Sequence, residues 1–149
     1  MRKILHLILF GFALTALSGC SKDDPLVKEK AAIDKYLADH GFTVQPTSTG
    51  LYYIETLKGT GPDADIGDQA KVRYKGYFTD GTVFDSGIFS FQIGARQVIL
   101  GWDEGISYMK EGGKAILVIP SSLGYGPYGS GSIPGYTPLV FEVELIDLY

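Results

Sequence analysis

The chain has 149 residues, of which 45% are hydrophobic, 13% aromatic and 20% charged, and its formal net charge is −4. This length suits one domain, or one domain with an appendage, and so many aromatic residues exclude a disordered chain. A typical nucleic-acid-binding protein needs clustered Lys and Arg, and a disulfide framework or cysteine-rich zinc site needs more than the one cysteine present. We therefore expect no nucleic-acid partner, disulfide scaffold or zinc site.

The N-terminal residues have the pattern of a secretory signal. The basic pair Arg2-Lys3 precedes an apolar run, Ile4–Leu17, which is shorter than the ~20 residues needed to cross a bilayer. This pattern predicts a cleaved signal peptide over residues 1–19; a buried helix of the domain is the alternative. The end of the run, Leu17-Ser18-Gly19-Cys20, resembles the lipobox of bacterial lipoproteins. The resemblance implies that Cys20 carries a diacylglyceryl group and fatty acids such as palmitate.

Cleavage before Cys20 would leave 11 of the 13 basic residues against all 17 acidic ones, a formal charge of −6. Membrane binding through a basic patch is then not expected, so the predicted membrane partner is reached through the lipid on Cys20. The polar stretch Ser21–Asp24 is predicted to be a flexible tether, although it also resembles a surface-export signal of some Gram-negative lipoproteins. We predict an extracytoplasmic lipoprotein, in the outer membrane of a Gram-negative bacterium and facing the periplasm or the surface.

A helix is predicted from Pro25 to His40, where apolar residues recur at three- and four-residue spacing and Gly41 can end it. The apolar positions are Ala31, Ile33, Tyr36 and Leu37. Residues 20–50 are thus predicted to be a tether and a short helix that packs on the C-terminal domain.

Residues 51–149 are predicted to form one mainly β domain. Along Gln69–Phe78, apolar or small residues alternate with polar ones, as in a half-buried strand. Strands are predicted over Leu51–Leu57, Gln69–Phe78, Thr82–Phe84, Phe89–Ile93, Ala115–Ile119 and Leu139–Leu148, and a helix over Trp102–Met109. A mostly antiparallel sheet with one short helix against it is an α+β architecture.

Residue sets for covalent, metal or nucleotide chemistry are not found. His6 belongs to the predicted signal peptide and His40 to the leading helix, so a Ser-His-Asp or Cys-His site is not expected. The glycine-rich segment Gly124–Gly131 lacks the Lys-Ser/Thr of a phosphate loop. The acidic pair Asp103-Glu104 is interpreted as complementing a helix dipole rather than as glycosidase carboxylates. We expect no metal and no cofactor.

Aromatic residues next to Gly or Asp lie in blocks that occur in a specific order between Leu51 and Tyr149. Together the blocks resemble the signatures of FKBP-type peptidyl-prolyl cis-trans isomerases. The resemblance implies an FKBP-like antiparallel half-barrel sheet wrapped on one short helix, here with an N-terminal helical extension, and a monomer is expected. The blocks are Val72–Gly76, Gly81–Ser86, Gln97–Gly105, Gly124–Gly126, Ile133-Pro134 and Pro138–Leu145.

The resemblance also implies the site and the activity. It places an apolar pocket between sheet and helix, with Trp102 as its floor, and it implies a hydrogen bond from the Ile99 N–H to the substrate carbonyl. The expected partners are proline-containing polypeptides, and the expected reaction is rotation about X-Pro bonds (rotamase activity). The alternative is a non-enzymatic binding module that holds proline-containing segments in the same pocket. The implied catalytic residues are Tyr74, Phe84, Asp85, Trp102, Tyr125 and Phe141, and the implied substrate-binding residues are Phe89, Val98, Ile99 and Ile133.

Overall fold

The computed structural model describes residues 23–149; the predicted signal peptide and Cys20 lie outside them. Within this range no helix has the length and apolarity needed to cross a bilayer. A 3-10 turn at Ser121–Leu123 separates the last two strands. The regular elements are α1 (Pro25–Asp39), β1 (Tyr52–Leu57), β2 (Gln69–Phe78), β3 (Val83–Gln92), α2 (Leu100–Ser107), β4 (Lys114–Ile119) and β5 (Leu139–Leu148).

The five strands form one antiparallel sheet in the order β1-β4-β5-β2-β3. The C-terminal strand β5 lies in the centre, between β4 and β2, while β1 and β3 form the two edges. With one short helix on the sheet and a longer helix before it, this arrangement confirms the predicted α+β class.

Each face of the sheet is covered by one helix, and we name the faces after these helices. Side chains alternate along the strands, so that on β5 Phe141 belongs to the α2-face core and Val140 to the α1-face core. On the α2 face, glycines bring the helix close to β4. A Cβ at Gly105 would lie 2.7 Å from the Leu117 side chain, and one at Gly101 would lie 2.6 Å from Ile119.

Helix α1 packs on the sheet as predicted. Ile33, Tyr36 and Leu37 are buried, and the helix ends at Asp39, one residue before the predicted end. Gly41 (φ +69°) follows it, and the N–H groups of residues 41 and 42 return to carbonyls of the last turn. The expectation for Ala31 was wrong, because this residue is exposed while Glu29 is buried in its place. The spacing of apolar residues does not identify Glu29 as buried, because its carboxylate accepts a hydrogen bond from Ser121, 92 residues later in the chain.

Two elements, β3 and α2, differ from the predicted ones by more than one residue. Strand β3 is one continuous element over Val83–Gln92 rather than two short pieces. Its central polar and glycine residues have low strand propensity, but a register with β2 that is unbroken from Asp85 to Gln92 holds them extended. Helix α2 begins at Leu100 and ends at Ser107, two residues earlier at each end than predicted.

Candidate active site

A cleft of about 260 Å³ lies on the α2 face, between strands β2, β3 and β5 and the start of α2. Nine of the ten predicted pocket residues line it, and Gln97 lines it as well. Because these residues come from separate parts of the chain, the fold alone brings them together. The lining residues are Tyr74, Phe84, Asp85, Phe89, Gln97, Val98, Ile99, Trp102, Tyr125 and Phe141.

Trp102 packs against three aromatic rings, those of Tyr74, Phe91 and Phe141. It lies in the first turn of α2 and is only 5% exposed. Tyr74 and Phe141 meet its ring edge to face, with centroids 5.1 and 5.3 Å away and interplanar angles of 76° and 85°. Its Nε1 is buried and has no hydrogen-bond partner among residues 23–149. The edge-to-face contacts hold the indole ring in a fixed orientation.

A β-bulge aims Phe84 into the cleft. The β2–β3 register passes from Gly76↔Asp85 to Tyr77↔Val83, which leaves Phe84 as the extra residue. Its ring meets that of Phe141 edge to face at 5.6 Å, directly over Gly76. A Cβ at Gly76 would lie 2.7 Å from both rings, so only glycine allows this packing.

The polar side of the cleft is a tyrosine–carboxylate pair. Tyr74 Oη donates to Asp85 Oδ2 at 2.8 Å, and Asp85 Oδ1 accepts from the Ser86 N–H at 2.8 Å. Burial, together with the hydrogen bond to Asp85, raises the pKa of Tyr74 above its ordinary value. The phenol therefore stays protonated and the carboxylate stays oriented. Tyr125, 39% exposed, lies at the rim.

The loop between β3 and α2 supplies the remaining wall of the cleft, and hydrogen bonds to Asp103 hold the loop in place. The Asp103 carboxylate accepts from the N–H groups of Gly94 (3.1 Å) and Arg96 (3.0 Å), so it does more than complement the helix dipole. Ile99 is the N-cap residue of α2, and its carbonyl accepts from the Trp102 N–H at 2.9 Å. In the described part of the chain the Ile99 N–H has no acceptor, so it is available at the wall of the cleft.

The set of lining residues departs from the predicted set at two positions. Ile133 does not line the cleft; it is partly buried against the α2-face core and exchanges two 2.9 Å backbone hydrogen bonds with Ser130. Gln97 was missed, although it directly precedes Val98 in a recognised block. Its Oε1 accepts from the Gln92 N–H at 3.0 Å, so this side chain also shapes the loop.

The arrangement suits noncovalent chemistry. Residues 23–149 contain no group of three or more His, Cys, Asp or Glu placed to hold a metal ion. Their histidine, His40, caps α1 and bonds the Tyr36 carbonyl through Nδ1 at 2.8 Å. The cleft offers aromatic walls, one oriented carboxylate and one backbone donor. It can hold an apolar ring and orient a carbonyl beside it.

Comparison with known proteins gives consistent matches. The family described as FKBP-type peptidyl-prolyl cis-trans isomerase matches residues 61–146. The FK506-binding protein of Neisseria meningitidis serogroup B is 44% identical over 106 residues, which cover 67% of this chain and 97% of that protein. The isomerase FkpA of Aeromonas hydrophila is 38% identical over 140 residues, covering 89% of this chain and 52% of FkpA.

Solved structures agree with these matches. A peptidyl-prolyl cis-trans isomerase from Pseudomonas syringae pv. tomato has a TM-score of 0.74 and 36% identity, covering 86% of this chain and 96% of that one. FkpA from Escherichia coli has a TM-score of 0.73 and 39% identity, covering 84% of this chain and 59% of that one. The fold implied by the sequence blocks is thereby confirmed.

Proposed function

This chain belongs to the FKBP-type family and is a peptidyl-prolyl cis-trans isomerase, and we propose that its catalytic site is the aromatic cleft of the α2 face. The observation that carries this proposal is the convergence of nine family-implied residues on one cleft. We further propose that the enzyme acts outside the cytoplasm, on proline-containing segments of unfolded or partly folded polypeptides. The apolar character of the cleft supports this substrate class.

The cleft suits a proline ring. Such a ring offers three methylene groups, each worth about 0.8 kcal/mol on burial, and no charge that would need a partner. Trp102 supplies the floor, and Phe84, Phe89 and Phe141 supply apolar walls. Tyr125 at the rim presents a hydroxyl to the bound chain.

The reaction needs no nucleophile and no cofactor. Rotation about an X-Pro bond faces a barrier of about 18–20 kcal/mol because the twisted amide loses its resonance. An enzyme accelerates it by binding the twisted amide more tightly than either planar form. The twisted amide has less charge separation, so a dry apolar cleft favours it. The Ile99 N–H is the group that would hold the neighbouring carbonyl during rotation.

FK506 provides a test of the site, since relatives of this chain are named for binding it. We expect FK506 to inhibit isomerisation of a Leu-Pro peptide and to raise Tm, because a ligand at 100 times its Kd stabilises a protein by about 2.7 kcal/mol. Trp102→Leu should lose both effects together with activity. Full activity of a folded Trp102→Leu variant, or no Tm shift at saturating FK506, would place the site elsewhere.

We also propose that lipid on Cys20 holds the enzyme to a membrane, the outer membrane of a Gram-negative bacterium. The support is the charged, apolar and small-residue pattern that ends at this cysteine. Several acyl chains anchor a protein stably, whereas one holds it marginally. Labelled palmitate should enter the wild-type protein but not Cys20→Ala, which should keep residues 1–19. Equal labelling of both proteins would refute the anchor.

A further inference from the structure

The sheet edge beside the cleft is formed by β3, which pairs with β2 and with no other strand of residues 23–149. An edge strand presents alternate backbone N–H and C=O groups to its surroundings. β3 also carries Asp85 and Phe89, which line the cleft. The edge is therefore continuous with the site in which the proposed function places the prolyl bond.

Hydrogen bonds at the end of β3 show which of its residues face outward. The Ile93 N–H donates to the Asp68 carbonyl at 2.9 Å, and the Ile93 carbonyl accepts from the Gly67 N–H at 3.0 Å, so Ile93 bonds towards β2. The register is unbroken between Gln92 and Asp85, and an antiparallel ladder alternates residue by residue. Even-numbered residues therefore direct their backbone groups to the open edge. These residues are Ser86, Ile88, Ser90 and Gln92.

In the first and the last of these four residues, the backbone N–H already donates to a side chain. The Gln92 N–H donates to Gln97 Oε1 at 3.0 Å, and the Ser86 N–H donates to Asp85 Oδ1 at 2.8 Å. Within the described chain, no corresponding acceptor meets the N–H groups of residues 88 and 90. We call the stretch Ile88–Ser90 the edge window, because its outward backbone groups remain open between two capped positions.

The edge window is also apolar. Ile88 is 54% exposed and Phe89 is 47% exposed. Soluble proteins usually protect an open edge with charged residues, proline or a covering element. Phe89 points to the α2 face and Ile88 to the opposite one, so a strand added here would contact apolar surface on both sides.

We propose that the edge window binds, by β-strand addition, an extended segment of the same polypeptide whose proline occupies the cleft. This inference rests on the proposed function, because the occupant is the substrate itself. A three-residue segment extends about 10 Å, so the window holds residues a few positions from the proline. The preferred substrate is thus an unfolded chain with free backbone groups and apolar residues flanking its X-Pro bond.

The test compares two substrates with the same Leu-Pro core, a blocked tetrapeptide and a peptide extended by four apolar residues on each side. With the full-length protein, kcat/KM should be about tenfold higher for the long peptide, a gain that two ordinary hydrogen bonds supply. Ser90→Pro removes an outward N–H but no ladder hydrogen bond, and should reduce the long-to-short ratio about fivefold. Ser90→Ala keeps that N–H and should keep the ratio.

A substrate-side measurement keeps the inference testable if Ser90→Pro fails to fold. Two long peptides are compared on the wild-type protein, one N-methylated at the odd-numbered flanking residues and the other at the even-numbered ones. One of them should lose the higher kcat/KM of the long peptide, because its blocked N–H groups face the edge window, and the other should keep it. Equal kcat/KM for long and short peptides, or the same ratio in Ser90→Pro and Ser90→Ala, would overturn the inference. If the wild-type protein forms dimers and Ser90→Pro abolishes them, the edge window binds a second copy of the chain, and the inference is also overturned. Failure to isomerise either peptide would refute the proposed function itself.

Discussion

The two faces of the sheet are built from alternate residues of the same strands, yet only the α2 face carries the aromatic cleft. On the α1 face, a 15-residue helix covers the strands, and a 2.9 Å hydrogen bond joins the Tyr36 and Tyr77 hydroxyls. On the α2 face the helix has only eight residues. At 1.5 Å per residue, it spans about 12 Å against about 22 Å for α1. Beside the first turn of this short helix, aromatic residues of β2, β3 and β5 line the cleft.

This comparison separates residues that stabilise the fold from residues that also serve the reaction. Both faces bury apolar side chains, so substitutions on either face should lower the free energy of unfolding. Only substitutions of residues that line the cleft or that hold its rim in place should also change the kinetics of the molecules that remain folded.

The largest effect is expected at two adjacent residues of β5 that face opposite ways. Phe141→Ala removes a ring that contacts Trp102 and Phe84, and should cost about 3–5 kcal/mol of stability and more than tenfold in kcat/KM. Val140→Ala should cost about 2 kcal/mol of stability and leave the kcat/KM of folded protein within twofold. Denaturant unfolding and peptide isomerisation measure both. Equal kinetic losses would mean that the faces are not functionally distinct.

A smaller effect is expected where a buried carboxylate links α1 to the cleft rim. The Glu29 carboxylate accepts from the Ser121 N–H and from Ser121 Oγ (2.8 Å), and the Ser121 carbonyl accepts from the N–H groups of Gly124 and Gly126 on either side of Tyr125. Glu29→Ala leaves buried donors unpaired and should cost about 1–3 kcal/mol of stability. Since the rim is loosened, kcat/KM should also fall about threefold.

The control for Glu29 lies on the same helix. Asp34 forms an exposed pair with Lys30, and Asp34→Ala should cost at most about 0.5 kcal/mol, with no kinetic change. A double-mutant cycle between Glu29→Ala and Ser121→Ala should show coupling, because the two side chains are directly bonded. Additive losses would contradict the linkage.

Two tyrosines of β2 offer the most conservative comparison. Tyr74→Phe removes the hydrogen bond to Asp85, and Tyr77→Phe removes the one to Tyr36. Each should lower the free energy of unfolding by about 1 kcal/mol. Only Tyr74→Phe should lower kcat/KM, by about threefold, because only its hydroxyl orients a group at the cleft. A kinetic loss in Tyr77→Phe of the same size would refute the distinction between the faces.

Much of this organisation is readable from local patterns. The alternation along Gln69–Phe78 predicts β2 with its bounds, and the helical spacing that includes Ile33, Tyr36 and Leu37 predicts that α1 packs on the sheet. Eight of the nine correctly predicted cleft residues lie in the ordered blocks, most of which combine an aromatic side chain with a glycine; the ninth, Phe89, lies outside them.

The features that could not be predicted depend on contacts between distant parts of the chain. Glu29 looks like a solvent-facing residue until Ser121, 92 positions later, satisfies its carboxylate. The continuity of β3 depends on its register with β2 rather than on its own propensity. The side-chain cap at Gln92, which delimits one end of the edge window, requires the folded loop between β3 and α2.

The smallest expected effect is that of pH on the reaction. Rotation about the X-Pro bond transfers no proton, so kcat/KM should be flat from about pH 6 to pH 8, where a general acid–base pair often gives a bell-shaped profile. The raised pKa of Tyr74 keeps its phenol a donor throughout this range.

On the α1 face burial raises the pKa of Tyr77, and burial also raises that of Tyr53 to about 12. Because a raised phenol pKa stabilises the folded state below the unfolded value near ~10 and loses that contribution as pH rises further, Tm should fall only in alkali. Measuring kcat/KM and Tm together at constant ionic strength separates the two effects. A bell within pH 6–8 at constant Tm, abolished by Asp85→Asn, would show that proton transfer limits the rate and would refute catalysis by an apolar cleft that favours the twisted amide.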